Sequence, residues 1–330
     1  MTRLAALKNL RPAPRRPSPR RLFAQDGLLE VRLTRKRLDI MAAQALRYRV
    51  FYDEMGATPT PRMRAKRRDF DRYDRICDHV LVLDHQRLPG DKVIGTYRIL
   101  RHEVAAQHGG FYSAGEFDIS KLLRGQATNG QLMEMGRSCV AAEYRNTATI
   151  QLLWRGIANY MLTHNSSLVI GCASFPGTDP ALHAAPLSYL HHHHMAPPET
   201  RVRALPHLYQ PINLMEKDAI SPREALRAMP PLVKAYLRVG AYVGDGAVID
   251  HQFATTDVFM ILPTERMAER YHAHFEREEE FLPAVAGTRR KKLLSKVLPL
   301  VRRRPLSGEP RLPRGPRGKG DGGGWGSASG

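Results

Sequence analysis

A helical stripe in the middle of the chain, framed by two stretches that read as strands, constrains the fold most. Ile150, Leu153, Trp154, Ile157, Ala158 and Met161 recur at the 3.6-residue period that gathers apolar side chains on one helical face. Residues 131–140 before it read as one strand, and the continuous apolar run LVIGCAS at 168–174 after it reads as a buried one. Such a unit needs further strands to complete a sheet, and the flanks supply them. Residues 79–84 and 93–100 are apolar runs joined by HQRLPGDK, whose Pro-Gly pair has turn chemistry, so they read as a hairpin. Further strands are expected at 28–34, near 209–214 and at 258–262. Leu38, Met41, Ala42 and Ala45, with Leu46 and Val50, form a second helical stripe, and helices are also expected near 231–242 and over about 264–275. Residues 57–68 (ATPTPRMRAKRR) read as a polar, basic loop. The expected class is α/β (α+β): a mixed central sheet flanked by helices, in one domain over 25–285.

Charge sharpens those limits. The 330 residues carry a net +19, and two ends hold +17 of it. Residues 1–24, with RPAPRRPSPRR at their centre, and 305–330, ending GDGGGWGSASG, read as disordered basic tails. Between them 286–304 mixes Lys/Arg with Leu/Val (TRRKKLLSKVLPLVRRR at 288–304), the pattern of a short amphipathic segment for an anionic lipid surface. The nearly neutral core excludes a uniformly basic, histone-like fold. The tails lack interleaved aromatics, so no specific nucleic acid is expected. No apolar run reaches the ~20 residues of a membrane-spanning helix, and no secretory leader is read at the basic N-terminus. The expected place is the cytoplasm, at the inner face of the cytoplasmic membrane. Cys77, Cys139 and Cys172 form no CxxC pair and read as reduced thiols.

Two constellations carry chemistry. Asp69, Asp71 and Asp74 cannot share one face of a regular element, so they belong on an irregular turn; they suit a substrate ammonium or the neutralisation of the basic run before them. Glu134 and Arg137 sit inside an apolar strand, where charge is costly unless paired. Arg98, alone in its strand, reads as surface, as do Asp250, His251 and Asp257. The run His191–His194 has no carboxylate at ligand spacing, so no metal is expected. Between the tails, GxGxxG, P-loop, HExxH and GxSxG motifs are all missing, which leaves hydride transfer, phosphoryl transfer and serine hydrolysis without support.

Taken together, Arg47 with Phe51, the three aspartates, Arg98, and Glu134 with Arg137 resemble the acyl-homoserine-lactone synthases of the GNAT-like acyltransferase superfamily. The Trp those enzymes keep after the Phe has no counterpart in residues 53–57. A closer resemblance is to the bacterial L-ornithine Nα-acyltransferases, the hemolysin-like enzymes of ornithine-lipid synthesis. It rests on RYRVFYDEMG (47–56), DFDRYD (69–74), DHVLVLD (78–84), EMGRSCV (134–140), EYR (143–145), LLWRGI (152–157), GCASFPGTDP (171–180), LSYLHHHH (187–194) and FATTDVFMILP (253–263). That resemblance implies a GNAT-like fold and transfer of a 3-hydroxyacyl chain from acyl carrier protein to the α-amine of L-ornithine, giving lyso-ornithine lipid.

Physical reasoning assigns expected roles beside it. The stretch AAEYRNTAT (141–149) lacks the glycines that let helix-start N–H groups hold the pyrophosphate of coenzyme A. The expected donor is therefore the phosphopantetheine thioester of an acyl carrier protein, a co-substrate, with no cofactor. Arg64, Lys66, Arg67, Arg68, Arg145 and Arg155 are expected to dock that acidic carrier. Glu134 is the expected proton acceptor for the amine. By the GNAT resemblance, backbone N–H groups near Cys139 and Val140 meet the oxyanion. Arg98 or Arg137 suits the α-carboxylate, and Asp69, Asp71 or Asp74 the δ-ammonium. An autoinducer synthase, a lysophospholipid O-acyltransferase using His79 and Asp84 as an HxxxxD motif, and a non-enzymatic module built on the tails are the alternatives.

Overall fold

The computed structural model describes residues 21–88, 90–125 and 131–267. Ten strands form one sheet: β1 (Arg21–Asp26), β2 (Leu29–Thr34), β3 (Asp78–Asp84), β4 (Val93–Arg101), β5 (Phe117–Asp118), β6 (Gln131–Val140), β7 (Ser166–Pro176), β8 (Arg203–Ala204), β9 (Tyr242–Asp250) and β10 (Thr255–Pro263). Their spatial order is β1-β2-β3-β4-β6-β7-β10-β9-β8-β5. The β6–β7 and β8–β9 pairs are parallel and the rest antiparallel, so the sheet is mixed, as expected.

Eight α-helices accompany it among the described residues: α1 (Arg37–Tyr48), α2 (Pro61–Lys66), α3 (His102–Ala105), α4 (Ser120–Gly125), α5 (Thr147–Thr163), α6 (Ala184–His194), α7 (Pro222–Ala228) and α8 (Pro231–Arg238). The stripe on α5 sits where its period placed it. Leu152, Leu153, Ile157 and Met161 pack on Val31, Leu33, Val80 and Val82, while α6 and α8 cover the rest of the same face. On the other face Leu46 and Val50 of the first helix meet Leu81, Leu83 and Val93. Alternation along β3 thus gives α5 one face of the sheet and α1 the other.

Several expectations need correction. The first strand begins at Arg21, inside the segment read as tail, because β2 offers it an edge to pair with. The loop at 57–68 contains α2: Thr60 caps it by accepting from Met63 N at 3.2 Å, and Pro61 occupies its first turn. No strand forms at 209–214 beyond one bridge between Gln210 and Ala247, since Pro211 has no N–H to extend the ladder. The helix expected to reach 242 stops at Arg238, Gly240 turns the chain at a φ of 94°, and β9 begins. Glycines 244 and 246 masked that strand in the sequence. The second is required, since a Cβ there would lie 2.3 Å from the ring of Tyr209. The last expected helix is described only for 264–267; its remainder, the 286–304 segment and the outer tails lie outside the described residues.

Candidate active site

Polar side chains gather on the face that α1 covers. Arg98, Glu134, Cys172 and Asp257 share it with Leu100, Leu132, Ile170 and Phe259, two residues from each on β4, β6, β7 and β10. Residues 69–75 lie against this face, as do 111–116.

The first helix continues as a π-helical turn over Arg49–Glu54, a local rearrangement often found beside functional sites. Just before it, Arg47 is 0 % exposed. Its Nε donates to Asp69 Oδ2 at 2.7 Å, and its Nη2 donates to Asp69 O at 2.8 Å and to both oxygens of Asp74. Gln44 Nε2 donates to Asp74 Oδ2 at 3.2 Å, and Tyr52 Oη donates to Asp69 Oδ1 at 3.0 Å. Burial alone would push the Asp74 carboxyl up, but the guanidiniums of Arg47 and Arg98 hold it below the usual carboxylate range. Asp69 and Asp74 are therefore committed to Arg47. The irregular turn expected for the triad is a 3-10 segment, Arg72–Arg75, closed by a reciprocal capping box of Asp71 and Asp74.

Asp71 is the least buried member of the triad and faces two arginines. Arg98 Nη1 donates to it at 2.6 Å, and Arg137 Nη2 at 3.4 Å. Arg98 is only 4 % exposed, which corrects its reading as a surface residue; its buried partners could not be inferred from one isolated Arg. Arg137 sits in a β-bulge, where residues 137 and 138 together face the single position 97 on β4, and its φ of 52° is left-handed. The bulge aims the guanidinium between the rings of Phe253 (4.5 Å) and Tyr112 (5.1 Å), leaving Nε without a hydrogen-bond partner. Phe51 packs edge-on against Phe253 at 5.6 Å and so joins the same wall.

Glu134 is not on an edge: β4 and β7 flank its strand. Its two oxygens accept from Tyr112 N and Ser113 N, each at 2.8 Å, and burial pushes its pKa up. Beside it the parallel strands part. Pairing of β6 with β7 ends at Glu134 and Ile170, although both strands run on for six more residues. Gly171 marks the last close approach, since a Cβ there would lie 2.3 Å from Met135 O. Of the two positions expected to offer N–H groups, only Val140 points its N–H into the gap. Ala141 N donates to Ile94 O, so alternation turns Val140 away from β4 and Cys139 towards it. Burial pushes the Cys139 thiol up to about 12, which disfavours the thiolate form.

The basic side chains expected to act together are divided. Arg64, Lys66 and Arg67 are exposed on or beside α2, and Arg145 is exposed at the end of β6, where it pairs with Glu54 and donates to Val140 O at 3.0 Å. Arg155 lies on α5, across the sheet, 3.6 Å from Asp26. His79 and Asp84 stand at opposite ends of β3: His79 Nε2 meets Asp74 O, and Asp84 accepts from Tyr144. They share no site, so the HxxxxD reading falls. His191–His194 close α6, with His192 Nε2 on Met215 O at 3.1 Å.

Residues 46–155 match a family model described as an acetyltransferase (GNAT) domain. Proteins named L-ornithine N(alpha)-acyltransferase match far more. The one from Brucella abortus is 51 % identical over 78 % of this chain and 92 % of its own. That from Agrobacterium fabrum is 49 % identical over 78 % and 89 %, and that from Rhodobacter capsulatus 40 % identical over 76 % and 96 %. The chain belongs to the L-ornithine N(alpha)-acyltransferase family. It is an acyltransferase with a GNAT-like fold. Among solved structures, the chain is similar to the N-acyl amino acid synthase FeeM from uncultured soil microbes over 73 % of this chain and 94 % of that one, at 10 % identity and a TM-score of 0.41.

Every residue given a catalytic, substrate-binding or docking role from the sequence lies within the matched 46–155. The arrangement adds Gln44, Tyr52, Tyr112, Glu116 and Phe253, which looked like ordinary polar or aromatic content, and Asp257, whose reading as a surface residue is corrected by its burial. Among the described residues no helix is long and apolar enough to cross a membrane.

Proposed function

We propose that this enzyme moves a 3-hydroxyacyl chain from acyl carrier protein to the α-amine of L-ornithine. One observation carries the reading: the parting of β6 from β7 beyond Glu134, with Arg137 beside it. A thioester placed in that gap meets the Val140 N–H, which stabilises the oxyanion as the amine nitrogen bonds to the carbonyl carbon. Glu134 takes a proton from the amine, directly or through water; its raised pKa makes it a stronger base than an exposed carboxylate. The C–S bond then breaks, and the pantetheine thiolate leaves and takes up the proton that Glu134 accepted. Arg137, forked and with an Nε that makes no hydrogen bond and only a 3.5 Å contact to Asp69, receives the α-carboxylate.

The donor reading is supported at the start of α5. Asn146 Oδ1 accepts from Thr149 N at 2.9 Å, so the helix caps itself where a pyrophosphate would sit in a coenzyme A user. The exposed cations of α2, together with Arg145, offer an acidic carrier protein a docking face on the α1 side. The 286–304 segment suits an anionic membrane surface, near which an acylated product collects. The deciding experiment incubates the purified protein with 3-hydroxyacyl carrier protein and L-ornithine, then seeks Nα-acyl-ornithine by mass spectrometry. The expected result is that product with carrier-bound acyl chains and far less with acyl-coenzyme A. No acylated ornithine from either donor overturns the reading.

A further inference from the structure

The three aspartates that looked suited to an ammonium are occupied by arginines, yet a second set of carboxylates on the same face is not. Glu116 Oε2 lies 3.7 Å from Cys172 Sγ on β7. Asp257 on β10 stands directly opposite Ser174, two residues along from Cys172, so Glu116 and Asp257 are about one pleat apart on one face. Asp257 is 8 % exposed; the hydroxyls of Ser174 and Thr255 flank it, yet its Oδ1 has no hydrogen-bond partner. A third carboxylate, Asp250, already holds its own turn by accepting from Gln252 N and Phe253 N. Among the described residues no cation lies within 4 Å of Glu116 or Asp257; Arg137 acts on both only from farther away. A buried acceptor oxygen left unpaired is expensive, and here it sits beside a second uncompensated carboxylate.

We propose that Glu116 and Asp257 form the subsite for the positively charged end of the amino-acid acceptor, a primary ammonium, whose α-carboxylate lies at Arg137. The inference rests on the ornithine reading and deepens it. An ammonium brings three donors and no acceptor, which matches an unpaired carboxylate oxygen with another carboxylate at its side. A metal ion fits less well, since no group of three or more suitable ligands occurs among the described residues. Burial pushes Glu116 to about 7 and Asp257 to about 6, and an entering cation would draw both back to the charged form. Selectivity then comes from this pair, on the far side of Arg137 from the aspartate triad.

The test compares kcat/KM for L-ornithine and for L-2-aminopentanoate, the same carbon chain without the terminal amine, using one acyl-carrier donor. Wild-type enzyme is expected to favour ornithine, and Glu116→Gln and Asp257→Asn each to reduce that preference roughly 10- to 100-fold, mainly through KM for ornithine. Circular dichroism and thermal melting check that the variants fold. Should Asp257→Asn fail to fold, the half-buried Glu116→Gln carries the test. Folded variants that keep the wild-type preference overturn the subsite and leave the acyl transfer standing. A wild-type enzyme that acylates lysine in place of ornithine, and loses this in the variants, supports the subsite while correcting the acceptor. A wild-type enzyme that acylates no cationic amino acid overturns both readings.

Discussion

Arg47 grips both oxygens of Asp74, at 2.9 and 3.0 Å, with neither side chain accessible to solvent beyond a few per cent. The same guanidinium holds Asp69 at 2.7 Å, so one buried cation neutralises two carboxylates brought in from the 69–75 turn. This lattice fixes that turn against α1 and presents Asp71 to Arg98 and Arg137. Replacing Arg47 by Met leaves Asp74 and Asp69 with only the longer 3.5 Å cation contacts, to Arg98 and Arg137, and should cost about 3–5 kcal/mol, measured by urea unfolding. Adding Asp69→Asn and Asp74→Asn should recover part of that loss, because the sites are coupled.

Arg137 should matter through its fork. Arg137→Lys keeps the charge but loses planar, two-donor recognition and much of its stacking between Phe253 and Tyr112. A 10- to 100-fold fall in kcat/KM for the amino acid is expected, mostly in KM, with the melting temperature changed little. Steady-state kinetics at saturating acyl donor check it, and an unchanged KM would remove Arg137 from the acceptor site.

Glu134→Ala should lower kcat by roughly 10²- to 10⁴-fold, the usual weight of a positioned proton acceptor. It also releases Tyr112 N and Ser113 N, so some stability goes with it. The informative comparison is kcat against pH: a rate that recovers at high pH, where free amine is abundant, fits a lost base. Wild-type-like turnover at neutral pH would end that assignment.

The second carboxylate pair makes stability depend on pH. Glu116 is raised from 4.5 to about 7 and Asp257 from 3.8 to about 6, burial being the first cause in each. Because the folded state favours their protonated forms, the stability they allow is complete below about pH 4. It is lost as pH rises through 6 to 7. Glu116→Gln should therefore melt close to wild type at pH 5 and above it at pH 8, by on the order of 1–3 kcal/mol. Equal melting differences at the two pH values would contradict this.

Gly171→Ala tests the place where β6 and β7 part. Its Cβ would meet Met135 O at 2.3 Å, a backbone atom that cannot swing away. A loss of about 1–3 kcal/mol is expected, with activity falling further than stability as the gap is displaced. Thermal melting and turnover measured together separate the two effects.

Period and motif together read most of the fold. The stripe at 150–161, the hairpin at 79–100 and the run at 168–174 all landed in α5, β3–β4 and β7, since each buries one or both faces and is patterned accordingly. What failed was locally ambiguous. The strand β9, with two glycines, shows weak apolar periodicity, and the 209–214 run contains Pro211, which admits one bridge and no ladder. A six-residue helix, α2, was announced by its Thr-Pro cap alone.

For the site, charge inside an apolar strand singled out Glu134 and Arg137 and irregular spacing singled out the aspartate triad, while only the family resemblance joined Arg47 and Arg98 to them. The sequence could not say who pairs with whom. That Asp69 and Asp74 belong to Arg47, that a left-handed bulge swings Arg137 between two rings, and that Arg155 stands across the sheet from α2 are matters of tertiary placement. Glu116 and Asp257 are 141 positions apart, and nothing local distinguishes either from a solvated surface acid. Only the tertiary fold brings Glu116 beside β7 and buries Asp257 on β10 with one oxygen unanswered. Local patterning encodes which elements form and which charges need partners; the partners themselves are chosen where distant strands meet.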